Sequence, residues 1–231
     1  TIIPARSGSK GIPHKNIKYF NGKPLMEWSI LQAKQSSYFN FMKVVVSTDS
    51  LEYANVIKQP GVHIIHRPSE IAQDNSIDIE FIHHAIQYLK ETENYEADII
   101  LQLRPTQPCR KVEDIDRCLE LFIRQRDKYD SLRTVVKIEK TPYKMYKLEN
   151  NNLVPYLKTY GHIDEPYNIC RQDLPDSYLH NGYIDIMNYS LLKQNKISGD
   201  KILPYIMDKK DTIDIDTLED WEKAEKHFTY L

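Results

Sequence analysis

The sequence predicts a doubly wound α/β protein, in which helices cover both faces of a mostly parallel sheet. Short, continuous apolar runs alternate along the chain with segments of helical periodicity, which is the pattern of this class. Several of the apolar runs are followed by polar loops that contain charged residues. Ligands of such sheets bind beyond the carboxyl ends of the strands, so we expect the functional residues in these loops.

The first half of the chain contains three predicted strands. Residues 2–3 end a buried strand, residues 43–47 form a short continuous apolar strand typical of the interior of a parallel sheet, and residues 62–66 are a third strand. Between the first two runs, Leu25 and Trp28 recur at helical spacing, and we expect these side chains to lie in the core rather than against a nucleotide.

The next helix is predicted after Ser76, whose hydroxyl can cap it, because Ile82 and Leu89 then share one face. His83 and His84 are adjacent in this helix and point in different directions. We therefore expect them to be solvent or packing residues rather than metal ligands.

The strand–helix alternation continues through a strand at residues 97–103, a helix at 112–126 and a strand at 134–138. Strands are also predicted at 182–187 and 202–207. A last strand at residues 212–216 is expected to close the sheet, followed by a helix that Thr217 can cap.

Residues 139–178 interrupt this alternation. The segment is rich in tyrosine and no long helix fits it, so we expect short strands and loops. We predict a catalytic α/β domain formed by residues 1–138 and 179–231, with 139–178 as an inserted arm. Its aromatic content favours a protein interface; a lid packed on its own subunit is the alternative.

The overall composition restricts the classes of function. The chain has 231 residues and a formal net charge of −2, so a broad basic face for nucleic acid is not expected. No run approaches the roughly 18 apolar residues of a membrane span, and no charged-then-apolar leader is visible. The three cysteines have no zinc spacing and are typical of a reducing compartment. We therefore expect a cytoplasmic protein without membrane contact.

The first loop, within the stretch TIIPARSGSKGIPHKN, has the composition of a polyphosphate site. Glycines let the backbone approach a ligand closely, exposed N–H groups can form an anion nest, and arginine and lysine neutralise phosphate charge. The P-loop pattern and the dinucleotide fingerprint are both absent. Gly8 and Gly11 alone would also fit a generic surface loop, but the whole string is more specific.

Asp214 and Asp216 form a second candidate group. In a strand, residues two apart point the same way, so both carboxylates would share one face. Such oxygen ligands suit Mg²⁺ bridged to substrate phosphates. The alternative is a solvated strand end in which Asp216 or Thr217 only caps the following helix. We favour the metal site because the first loop would hold the polyphosphate that the metal serves.

Six short motifs, in order, resemble those of the nonulosonic acid cytidylyltransferases, the CMP-sialic acid synthetase family. They extend from the first strand to about residue 221 and comprise PARSGSKGIPHKN at 4–16, VVVSTD at 44–49, PTQPCR at 105–110, RQDLP at 171–175, NG at 181–182 and DIDTLEDW at 214–221. The resemblance implies a Rossmann-like, nucleotide-diphospho-sugar transferase fold. It also implies that CTP and a nine-carbon 2-keto acid give a CMP-sugar and pyrophosphate.

The resemblance implies roles for individual residues in nucleotide binding and catalysis. Arg6 and Lys10 would hold the CTP phosphates and stabilise charge on the departing pyrophosphate. Asp214 and Asp216 would bind Mg²⁺, with Mn²⁺ as an alternative. Asp216 would be catalytic because the metal would lower the pKa of the anomeric hydroxyl or of a bound water, so that the hydroxyl oxygen attacks the α-phosphorus in line. The full nucleotide-binding set would be Arg6, Ser7, Gly8, Ser9, Lys10, Lys15, Asn16 and Ser76.

The sugar acid would be bound by Arg104, Lys144, Arg171 and Asn181. Arg171 is the candidate partner of its carboxylate, because a guanidinium can form two parallel hydrogen bonds with that group. The resemblance further implies a homodimer whose arms reach into the neighbouring subunit's cleft. For Lys144, a solvated lysine is the alternative.

The identity of the acid stays open at this stage. Arg104 stands where sialate enzymes commonly have glutamine, and this is similar to the legionaminate-type branch, whose sugars carry different N-acyl groups and a deoxygenated C9. Two other functions are retained: a nucleotidyltransferase for a sugar phosphate or another sugar acid such as keto-deoxyoctonate, and a non-catalytic nucleotide-binding protein of the same fold.

Overall fold

The computed structural model describes residues 1–229. Its strands are β1 (Ile2–Pro4), β2 (Tyr19–Phe20), β3 (Lys23–Pro24), β4 (Val44–Thr48), β5 (Val62–His66), β6 (Ile99–Gln102), β7 (Ser131–Ile138), β8 (Tyr146–Glu149), β9 (Asn152–Pro155), β10 (Thr159–Tyr160), β11 (Ile163–Asp164), β12 (Ser177–Asn188) and β13 (Ile202–Met207). Its α-helices are α1 (Leu25–Gln35), α2 (Leu51–Val56), α3 (Asp78–Glu93), α4 (Val112–Gln125) and α5 (Leu218–His227).

Seven of these strands form one sheet in the order β13-β7-β12-β6-β1-β4-β5. Strands β6, β1, β4 and β5 run parallel to one another, and β13 is parallel to β7. Strand β12 lies antiparallel between β6 and β7. The predicted mostly parallel sheet is therefore confirmed, and the carboxyl ends of β1, β4, β5 and β6 meet at one edge.

Both faces of the sheet are covered, because neighbouring residues of a strand point to opposite sides. Ile3 belongs to a buried cluster that includes side chains of α1 and α4. Ile2 belongs to a second cluster, which includes the apolar side of α3. A third, smaller cluster places Trp28 of α1 beside Trp221 of α5, and so attaches the last helix to the body of the protein.

The predicted strand at residues 212–216 is wrong. This segment has no regular secondary structure; the backbone N–H of Ile215 donates to the carbonyl of Thr106, in the loop after β6, over 2.9 Å. Ile215 is nevertheless fully buried and both aspartates are exposed. The alternation of apolar and acidic residues therefore arises because Ile215 is buried against the loop after β6, and not because the segment pairs within the sheet.

The two predicted helix caps have opposite outcomes. Ser76 does not cap α3, because its hydroxyl accepts the N–H of Gln73 and the helix begins at Asp78. Thr217 does cap α5. Its hydroxyl accepts the N–H of Asp220, and the carboxylate of Asp220 accepts the N–H of Thr217 over 2.9 Å, which completes a capping box.

Residues 139–178 contain short strands and turns, as expected, with two antiparallel hairpins formed by β8–β9 and β10–β11. Large apolar side chains are exposed here; Leu148 and Leu153 are 70% and 69% exposed. The boundaries of a separate arm, and its use as an interface, stay predictions. Within residues 1–229, none of the helices has both the length and the apolar character needed to cross a membrane.

Candidate active site

A cavity of about 350 Å³ opens at the edge of the sheet where the parallel strands end. Its walls come from the loops after β1, β5 and β6, from the start of α3, and from the segment before α5. This is the location that the fold class predicts for a ligand. The predicted site residues among its lining are Arg6, Ser9, Lys10, Lys15, Asn16, Ser76, Arg104 and Asp216.

The loop after β1 is held in a fixed shape by side chains that follow neighbouring elements. The backbone N–H and the hydroxyl of Ser7 donate to the two carboxylate oxygens of Asp49, over 2.8 and 2.6 Å, just after β4. The side-chain amide of Asn16 donates to the carbonyl of Arg6 over 2.9 Å. Ser7 and Asn16 therefore organise the loop from within.

The two predicted phosphate-binding cations converge on one anionic group. Nη1 of Arg6 lies 3.0 Å from one oxygen of Asp74, and Nζ of Lys10 lies 2.8 Å from the other. Hydrogen bonds from Lys10 and Arg6 lower the pKa of Asp74, which is about half exposed. Exposed ion pairs contribute little stability, so a polyphosphate can replace Asp74 at small cost. Sequence reasoning did not identify Asp74.

The first loop and the acidic segment meet at one end of the cavity. The ammonium of Lys15 is nearly buried and donates to the carbonyl of Ile215 over 2.6 Å and to Oδ1 of Asp216 over 3.0 Å. The backbones also touch, because a Cβ on Gly11 would lie 2.2 Å from the carbonyl oxygen of Asp216. Gly11 is therefore needed for close approach between the two segments.

The carboxylates of Asp214 and Asp216 are close enough to influence each other. Asp216 is 73% exposed and lines the cavity. Asp214 is not part of the lining. Although the residue as a whole is exposed, its carboxyl is desolvated; this desolvation and the charge on Asp216 raise its pKa, against a hydrogen bond with Thr106 that lowers it. Among residues 1–229 no group of three or more His, Cys, Asp or Glu side chains is arranged to hold a metal. Two carboxylates would leave most ligand positions to phosphate oxygens and water, which is how Mg²⁺ is commonly bound.

Arg104 lies at another part of the wall, between two carboxylates. Its Nη2 donates to Oδ2 of Asp78 over 2.7 Å, and its Nη1 donates to Asp185. Although burial opposes the charge on Arg104, these carboxylates raise its pKa. Sequence reasoning missed both partners. The available signal for Asp185 was a carboxylate within the otherwise apolar run GYIDIM.

Arg67 is a further cavity residue that the sequence analysis missed. It is buried, and its Nη2 donates to the carbonyl of Ser47 over 3.0 Å. The guanidinium lies 4.5 Å from the ring centroid of Phe81, and burial lowers its pKa to about 10. The signal was its position directly after β5, at the carboxyl edge of the sheet.

Three predicted sugar-binding residues do not line the cavity of their own chain. Lys144 donates to the carbonyl of Tyr167 over 3.2 Å. Arg171 is exposed, with Nη1 3.7 Å from Glu139. The side-chain oxygen of Asn181 accepts from the hydroxyl of Thr134 over 2.6 Å, so it already has an internal partner.

Known proteins resemble this chain both in sequence and in structure. Residues 1–164 match the family described as Cytidylyltransferase. A protein of Escherichia coli named N-acylneuraminate cytidylyltransferase is 34% identical over 224 residues, which are 96% of this chain and 50% of that protein. A Campylobacter coli protein named post-translational flagellin modification protein B is 30% identical over 226 residues, which are 96% of this chain and 92% of that protein. The chain thus spans about half the length of the first relative.

The fold has the same architecture as a solved CMP:2-keto-3-deoxy-manno-octonic acid synthetase complexed with CTP. The TM-score is 0.69 at 18% sequence identity, and the match covers 97% of this chain and 95% of that one. At such an identity the likeness applies to the fold alone. It supports the α/β architecture described above.

Proposed function

The chain belongs to the cytidylyltransferase family, and from that premise we propose that it transfers CMP from CTP to a nonulosonic acid of the sialic or legionaminic type. The anomeric hydroxyl oxygen of the acid would form a bond with the α-phosphorus, while the bond between that phosphorus and the pyrophosphate oxygen breaks. The name of the Escherichia coli relative supports this class of reaction. The observation that carries the proposal is the cavity shared by the basic loop and Asp216.

The nucleotide would lie along the first loop. Arg6 and Lys10 would bind the triphosphate in place of Asp74, since both cations already converge on one anion. Their charges would stabilise the departing pyrophosphate more strongly than the bound substrate, which is the condition for accelerating the reaction. Ser9 and Ser76, which line the same cavity, would add polar contacts to the nucleotide.

The acidic segment would hold Mg²⁺, with Mn²⁺ as an alternative. Asp214 and Asp216 fit such an ion because they are two neighbouring carboxylates, of which Asp216 lines the cavity, and phosphates would complete the ligand set. When bound, the ion would lower the pKa of the attacking hydroxyl. Lys15 would keep Asp216 beside the first loop through its 3.0 Å contact.

The sugar acid would occupy the part of the cavity beside Arg104. Its carboxylate would be bound by Arg171, together with Lys144, from a neighbouring subunit, since neither residue lines the cavity of its own chain. A homodimer is supported by the exposed apolar side chains of residues 139–178, including Leu148, Leu153 and Tyr156. The arm would therefore complete the cleft of its partner.

Release of pyrophosphate from CTP tests this function. The purified protein is incubated with CTP and Mg²⁺ and with sialic, legionaminic, pseudaminic or octulosonic acid in parallel. We expect turnover with a nonulosonic acid. Preference for the octulosonic acid would favour the keto-deoxyoctonate alternative, and use of sugar 1-phosphates alone would contradict the proposal. Nucleotide binding without turnover of any acid would support the non-catalytic alternative.

A further inference from the structure

A chain of hydrogen bonds lies behind Arg104. Asp185, only 2% exposed, accepts from Nη1 of Arg104 and from Nε2 of His180, the latter over 2.7 Å. Nη1 of Arg133 lies 3.1 Å from Nδ1 of His180, and its Nη2 donates to the hydroxyl of Ser198 over 2.7 Å. Asp185 therefore connects the cavity wall to a network deeper in the protein.

The opposite side of Arg104 is fixed as well. Its Nη2 donates to Asp78, and the same oxygen of Asp78 accepts from the side-chain amide of Gln102 over 2.9 Å. A Cβ on Gly182 would lie 3.4 Å from Nη1 and Cδ of Arg104, so this glycine leaves just enough room for the side chain. The guanidinium is thus held by two carboxylates and packed against backbone.

The charges of the two arginines and the two aspartates in this network cancel. Arg104 and Arg133 supply two positive charges, and Asp78 and Asp185 supply two negative ones. Nη1 of Arg133 lies 3.1 Å from both ring nitrogens of His180, and Nε2 of His180 lies 2.7 Å from Oδ1 of Asp185. An anionic ligand would therefore gain little Coulombic attraction from Arg104.

Arg104 nevertheless keeps donors for a ligand. Its two ion pairs use two of the five N–H groups of a guanidinium, and the residue lines the cavity. A rigid donor whose charge is already compensated suits an uncharged acceptor such as an amide carbonyl. It suits a carboxylate less well than the exposed Arg171, whose Nη1 lies 3.7 Å from Glu139.

We propose that Arg104 is a specificity-determining donor to the carbonyl oxygen of an N-acyl group on the sugar acid, and that Asp185 is the residue that positions it. This inference rests on the proposed function, since it assigns one substituent of the same acceptor. The two arginines would then have separate roles: Arg171 would bind the carboxylate of the acid, and Arg104 would bind its neutral amide.

Calorimetric titration tests the assignment with two probes, an N-acetylated nonulosonic acid and the same acid with a free amine. CTP and a metal chelator are present, so no turnover occurs. The wild type should bind the N-acetyl acid about tenfold more tightly, since one hydrogen bond contributes up to about that much. Asp185→Asn should reduce this preference to less than about threefold and leave CTP affinity unchanged. Arg124→Gln, which alters an exposed arginine on α4, should match the wild type.

Arg104→Gln should lose the preference as well. If burial of an unpaired Asp185 prevents the Arg104→Gln variant from folding, the double variant Arg104→Gln/Asp185→Asn, which removes both charges, is titrated in its place. The inference is overturned if Asp185→Asn keeps the preference, if both probes weaken by the same factor, or if neither probe binds the wild type. Binding of the N-acetyl acid without pyrophosphate release in the metal-containing assay would reject the proposed function alone.

Discussion

The ammonium of Lys15 lies 3.0 Å from Oδ1 of Asp216, although 201 positions separate the two residues in the chain. Lys15 is only 8% exposed, and its second contact is the carbonyl of Ile215. A buried ammonium needs such partners, because leaving it unpaired costs several kcal/mol. The contact therefore fixes the acidic segment against the first loop and defines one end of the cavity.

Replacing Asp216 by asparagine should reduce turnover at saturating CTP by at least about 100-fold, because a single charge-stabilising group commonly contributes that much. The variant keeps the shape of the side chain but loses its charge. Initial rates of pyrophosphate release measure the effect, and Asp208→Asn, an exposed carboxylate outside the cavity lining, is the control. Full wild-type activity in a chelator would contradict the metal assignment.

Lys10→Ala should remove about 2–4 kcal/mol of transition-state stabilisation, as for other groups that stabilise developing charge. The loss is measured as a fall in kcat/KM. The side chain is three-quarters exposed and its ion pair is with the exposed Asp74, so the fold should be unaffected. Lys90→Ala on α3 removes a comparable exposed ion pair, with Glu96 beyond the end of that helix, and should leave kcat/KM unchanged. Similar kcat/KM values for the two variants would refute the role of Lys10.

Gly11→Ala should destabilise the protein by about 1–3 kcal/mol, because its Cβ would lie 2.2 Å from the carbonyl oxygen of Asp216 and the segments must separate. Gly8→Ala is the matched comparison for stability, since its Cβ would be 3.7 Å from Arg6. Urea unfolding of both variants measures the difference. Equal free energies of unfolding would show that the two segments are not held in contact.

Arg171→Ala should raise KM for the sugar acid by about tenfold or more and leave KM for CTP nearly unchanged, because a lost bidentate contact affects only the group it binds. If the residue acts on the neighbouring cleft, co-expression with Asp216→Asn should restore activity. One cleft of the mixed dimer then has both Asp216 and a partner's Arg171. Mixed dimers no more active than either parent would exclude action between subunits.

Asp185→Asn should remove a pH-dependent part of the stability. Burial opposes ionisation of Asp185, but His180, Arg104 and Arg133 hold its pKa at about 2, below the ordinary 3.8. A carboxyl whose pKa is lowered by folding stabilises the folded state at pH values above its ordinary pKa. This contribution is lost as pH falls from about 4 towards 2. The free energy of unfolding of the wild type should exceed that of the variant by about 2 kcal/mol at pH 7, and by less at pH 3.5. Urea unfolding at both values tests this, and a constant difference would refute it.

Much of the fold could be predicted because its signals are local. The predicted strands at 62–66 and 202–207 agree with β5 and β13, and the helix at 112–126 differs from α4 by one residue. Strand β4, predicted at 43–47, is buried along its whole length, and a buried parallel strand requires a continuous apolar run whatever its neighbours are. The segment 212–216 was misassigned because burial of Ile215 against a loop gives the same alternation as a half-buried strand.

The candidate site, like the fold, was predictable from the sequence only in part. The sequence by itself determined the chemistry of the first loop and of the acidic segment, since residue types alone state which charges and donors are present. Only the tertiary structure decided that Asp74 pairs with Arg6 and Lys10, and that Asp78 and Asp185 neutralise Arg104. Such partners come from distant parts of the chain, and chain folding, not spacing along the sequence, sets the distance between their charges.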